Sequence, residues 1–79
     1  MSPESAPLKE STCIEKLRIS EELAATLNAM REIAGREIWA VTAGDAAKLD
    51  QLGCEMEEAT KRKDALMAAY QAHVAEHGC

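Results

Sequence analysis

The chain lacks what most small self-sufficient domains rely on. It has no phenylalanine, one tryptophan (Trp39) and one tyrosine (Tyr70) among 79 residues. Bulky aromatic side chains dominate cores, so a chain with so few, this close to the lower size limit for a single domain, has little with which to close a globule by itself. Cysteine is equally uninformative. Cys13, Cys54 and Cys79 are odd in number and form no CxxC pair, which excludes a disulfide framework and leaves three ordinary thiols as the plain reading. Nor is there a basic excess. The formal charge of −5 disfavours nucleic acid and anionic lipid as principal partners, because both reward basic surface. No apolar run has the length of a membrane span. Residues 1–10 lack a basic stretch followed by an apolar core, so no secretory signal is expected and the cytoplasm is the expected location.

Proline is confined to Pro3 and Pro7, inside a serine-containing segment whose one large apolar residue after Met1 is Leu8. Residues 1–11 are accordingly expected to be a disordered lead-in, followed by a short helical turn carrying Ile14 and Leu17. Residues 12–79 are expected to form an all-α, antiparallel helical hairpin with helices at about 20–41 and 45–77 and a turn at 42–45. A possible capping box opens at Thr12 and Glu15. Ser20, followed by Glu21 and Glu22, has the composition of a helix start. From there Leu23, Leu27, Met30, Ala34, Ile38 and Val41 recur with a mean spacing near the α-helical period. The stripe loses phase upstream at Lys16 and Ser20, which places a kink or boundary near Ser20. Gly35, inside this helix, suggests the close approach of a neighbouring backbone.

Thr42, Ala43, Gly44 and Asp45 read as the turn, with Gly44 supplying the left-handed conformation that ends helices and Thr42 or Asp45 capping the next one. After it Leu49, Leu52, Met56, Ala59, Lys63, Leu66, Tyr70, His73 and His77 alternate by three and four, as a heptad seam does. Ala46, Gly53, Thr60, Met67 and Val74 run beside that seam. Lys63 is expected to pack its stem while its amine reaches solvent. Folding about Gly44 sets Leu49 near Ile38, Leu52 near Ala34, Met56 near Met30 and Leu66 near Ser20. The second helix is expected to outrun the first.

A two-helix layer covers the seam but not the row beside it, so Ile33, Trp39, Met67 and Val74 are expected to stay partly wet. The expectation that follows is a small helical interaction protein, an adaptor, regulator or chaperone-like module. It would act through an apolar helix face and close as a four-helix bundle on dimerisation, with itself or another helical protein as partner. The interface residues expected are Leu49, Leu52, Met56, Leu66, Met67, Tyr70, Val74 and Trp39. No nucleophile and base are placed by a recognisable motif, and no catalytic role or cofactor is expected.

The competing reading is a metal- or redox-responsive protein. His73 and His77 lie one turn apart on a helix face, and Cys79 follows closely, so the three are candidate metal ligands. Histidines near a helix C-terminus are also favoured by the helix dipole. With Cys79 behind Gly78 and only Glu76 nearby, no dedicated metal site is expected.

Overall fold

The computed structural model describes residues 5–77, and side chains from 14 to 76. It is an antiparallel hairpin of two helices, α1 (Ser5–Ala43) and α2 (Ala46–His77). Among the described residues there is no strand. The hairpin measures 63 × 15 × 11 Å, with a radius of gyration of 18.2 Å. A globular chain of this length has a value of about 12 Å, so this is a rod one helix pair thick.

The turn is tight. Gly44 has a φ of 69°, and its N–H donates to the Val41 carbonyl at 3.1 Å. The Asp45 N–H donates to the Ala40 carbonyl at 2.9 Å. These are the paired bonds of a Schellman motif, which satisfy carbonyls that the end of α1 would otherwise leave open. Asp45 then caps α2, its Oδ1 accepting from the Lys48 N–H at 3.0 Å. Of the two capping candidates, Asp45 has the role. The Thr42 hydroxyl donates back to the Ile38 carbonyl at 2.9 Å.

α1 runs through Ser20 without a break, and the segment expected as a lead-in is helical from Ser5 onward. Residues 1–4 lie outside the described ones. Pro7 falls in the first turn, where a missing N–H costs nothing. The boundary expected at Ser20 came from following the wrong stripe. The residues of α1 that meet α2 are Lys16, Ile19, Leu23, Thr26, Met30, Ile33, Glu37 and Ala40, all buried or half-buried. They alternate by three and four through Ser20 with no loss of phase. At 39 residues against 32, α1 is also the longer helix, opposite to expectation.

The seam of α2 is the one expected: Leu49, Leu52, Met56, Ala59, Lys63, Leu66, Tyr70 and His73 are all buried or half-buried. Leu52, 1% exposed, is the centre of a cluster with Ile33 and Ala40, against which Leu49, Met56 and Ala59 pack. The axial register is therefore within about one residue of expectation, but the contacting side of α1 is different. Ile33 is buried rather than wet, while Ile38, expected to cover Leu49, is 69% exposed. Thr26 is the one buried polar side chain among the described residues, and its hydroxyl is satisfied by the Glu22 carbonyl at 2.8 Å. Farther from the turn, the Lys16 amine sits over the Tyr70 ring, 5.7 Å from its centre. The far end of α2 is thus covered by α1. A Cβ added at Gly35 would meet nothing within 4 Å, so no neighbouring backbone explains that glycine.

Candidate interaction face

The two broad faces of the rod differ in chemistry. One is polar and bridged. Arg62 of α2 reaches across to Glu22 of α1, Nη2 to Oε1, at 3.2 Å. The sequence alone pairs Arg62 with Glu58, one turn away on its own helix; the structure shows it spanning the hairpin instead. Arg18 bonds to Glu15 and lies 3.9 Å from Glu22. That bonded guanidinium holds the Glu15 carboxyl below the usual glutamate range, and the carboxylate in turn raises Arg18. Beneath the Glu22–Arg62 pair lies a shallow depression floored by Ala25, Thr26, Ala29 and Ala59.

Helix geometry places a different set of columns on the opposite face. Advancing around α1 from the buried seam, away from Glu22, brings Leu27, Ala34 and Val41 to the surface. The antiparallel α2 contributes Gly53, Thr60, Met67 and Val74 to the same side. Leu27 is 48%, Val41 64% and Met67 42% exposed. Gly53, Thr60 and Val74 are half-buried. On the outer flank of α1, Leu17 and Ile38 extend the patch at 60% and 69% exposed.

These α1 residues are not scattered. Leu17, Ser20, Ala24, Leu27, Arg31, Ala34, Ile38 and Val41 alternate by three and four, so they form a second heptad seam about 100° around the helix from the first. Single exposed apolar side chains are ordinary. A continuous seam of them is the surface a further helix would need. The stripe read from the sequence takes Leu23 and Met30 from the buried seam and Leu27, Ala34, Ile38 and Val41 from the exposed one. It traces the middle of a broad apolar arc, and α2 covers one edge of that arc.

The residues singled out from the sequence therefore divide. Leu49, Leu52, Met56, Leu66 and Tyr70 lie on the seam inside the hairpin. Met67 and Val74 lie on the apolar face. Trp39 is 76% exposed, but on the flank of α1 turned away from that face. Leu17, Leu27 and Ile38 are not among the expected interface residues; Leu27 and Ile38 belong to the stripe expected to face α2, and the three-and-four spacing that joins them to Leu17 is the signal available. Lys63 is half-buried, its amine 3.4 Å from Asp64. Cys54 is exposed, as its position off the seam implies.

His73 is half-buried on the α2 seam, close enough to Glu15 to act on its charge. The side chains of His77 and Cys79 lie outside the described ones. Among the described residues no three His, Cys, Asp or Glu side chains converge as metal ligands, and no helix is long and apolar enough to cross a membrane. No protein-family model, curated protein or solved structure matches this chain.

Proposed function

We propose that this chain is a helical interaction module, an adaptor, regulator or chaperone-like protein, whose working surface is the apolar face built by the second seam of α1 and the neighbouring column of α2. It completes a four-helix bundle with a helical partner and does no chemistry of its own. One observation supports this above all: six of the seven exposed large apolar side chains among the described residues lie on α1, and four of those six share one seam. The four are about half to two-thirds exposed, so leaving them in water forgoes roughly 1–2 kcal/mol each relative to full burial. A partner helix laid along the seam recovers much of that.

The test is site-specific photo-crosslinking in cells. A photoreactive residue at Ile38, on the seam, is expected to yield discrete protein adducts. The same residue at Lys61, on the exposed side of α2 away from the face, is expected to yield none. Equal labelling from both positions, or none from Ile38, rules this function out.

A further inference from the structure

The interaction reading leaves the partner open, and resting on that reading we infer that the face is occupied by a second copy of this chain, docked so that α1 of each hairpin lies along α2 of the other. Three observations carry this.

The first is area. The chain exposes 5822 Å², whereas a compact monomer of 8.6 kDa exposes about 4,700 Å². The excess is about 1,100 Å² per chain. A stable interface removes about 800 Å² from each partner, and more where association is obligate. A second copy brings a matching excess and hides both at once.

The second is that only one side of the rod carries a continuous apolar seam. The opposite side carries the Glu22–Arg62 pair and Arg18 with Glu15, and its flank has a single large exposed apolar side chain among the described residues, Trp39. One continuous apolar face favours a two-layer assembly that stops at two copies, as an isologous twofold contact does.

The third is charge, which decides how the copies lie. The α2 column that borders the apolar face beyond Gly53, Thr60 and Met67 is acidic: Asp50, Glu57 and Asp64. Placing α2 against α2 would bring two such columns together, which like-charge repulsion opposes. The outer seam of α1 carries one charge, and it is the cation Arg31. Laying α1 on the partner's α2 sets Arg31 beside that acidic column. It also makes every adjacent pair of helices antiparallel, the arrangement of the simplest four-helix bundles.

The experiment uses the full chain. Sedimentation equilibrium is expected to give twice the chain mass at micromolar concentration. Leu27→Glu combined with Val41→Glu is expected to weaken dimerisation at least 100-fold, with Lys61→Glu leaving it unchanged. Because the double variant could lose its fold with its partner, a second arm uses chains that stay apolar on the face. The three native cysteines are replaced by serine, and a Leu27→Cys chain is mixed with a Thr60→Cys chain under mild oxidation. Disulfide-linked mixed dimers are expected in preference to links between identical chains. Links confined to Leu27→Cys with itself would overturn the pairing of α1 with α2. A folded monomer at high micromolar concentration would overturn the second copy as occupant. If that monomer still gave photo-adducts from Ile38, the interaction reading would survive with another protein on the face.

Discussion

α1 and α2 meet along one seam, yet they distribute their apolar residues differently. α2 concentrates its large side chains on one seam. It borders that seam with Ala46, Gly53 and Thr60, then Met67 and Val74 only toward its far end, with acids beyond, so near the turn its buried face is narrow and unambiguous. α1 has two adjacent seams, and only Ile19, Leu23, Met30 and Ile33 supply large apolar side chains to the one that α2 covers. A helix with a narrow stripe reports which side it buries; a helix with a wide arc reports only the middle of that arc. The difference teaches that periodicity locates a helix's neighbours one at a time when each seam is separated by polar residues, and averages them when the seams touch.

The sharpest way to break the comparison is at Leu52, the most buried side chain on the side with one seam. Leu52→Ala is expected to cost about 2–5 kcal/mol, as large-to-small changes in cores do. In a rod with so small a core that should abolish cooperative unfolding of the hairpin, read by circular dichroism melting. A drop of under 1 kcal/mol would mean that α2 does not depend on its seam.

The joint between the helices comes next. Gly44 holds a left-handed conformation that costs other residues about 1–2 kcal/mol. Gly44→Ala is therefore expected to lower the melting temperature clearly, and Gly44→Asn to lower it less, since asparagine tolerates that region better. Equal losses from both would show that the Schellman turn is not what ends α1.

A smaller effect separates the faces. Gly35 and Gly53 both sit inside helices, and a Cβ at either meets nothing within 4 Å in the single hairpin. Replacing Gly by Ala in a helix interior gains up to about 1 kcal/mol. Gly35→Ala should realise that gain in denaturant titrations. Gly53→Ala, on the apolar face, should gain measurably less, because a chain docked there has to accommodate the added methyl. Identical gains would argue that the face stays bare.

The smallest effect concerns the polar side. A carboxyl whose folded-state pKa is lowered contributes stability above its unfolded value and loses that contribution as pH falls through the folded one. Glu15 is such a group, and its side chain is about half exposed to water, so the consequence is local. Carboxyl NMR titration should place its midpoint below that of an ordinary glutamate, and Arg18→Gln should move it back up. A midpoint unmoved by that substitution would remove the pair.

Much of the architecture was legible in the sequence. Gly44 with Asp45 marked the turn because only a few residue types end one helix and cap another, and the α2 seam was readable because Leu49, Leu52, Met56 and Leu66 stand among charges. The axial register followed from the position of the turn. What could not be read was which edge of the α1 arc would face α2. Ile33 and Ala34 are neighbours in the chain and both apolar, so their identities do not choose between them. Thr26 and Glu37 look like surface residues, yet they hold the buried seam in phase. Arg62 shows the same limit for charge: Glu58 lies at helical spacing, while Glu22 becomes its neighbour only once the hairpin is closed.

The turn and the cluster of Ile33, Ala40 and Leu52 lie close together, and that proximity has a kinetic meaning. Contacts beside Gly44 join residues near in sequence and need only a short loop to close, whereas the contact of Lys16 with Tyr70 spans most of the chain. Closing the short loops first brings each more distant layer within reach at little added entropy, so the hairpin should fold as a zipper from the turn outward, at the fast rates typical of local topologies. Substitutions beside the turn would then slow folding, while those near Tyr70 would chiefly hasten unfolding. Amide exchange should accordingly be slowest around Ile33 and Leu52 and grow steadily faster toward Lys16 and Tyr70.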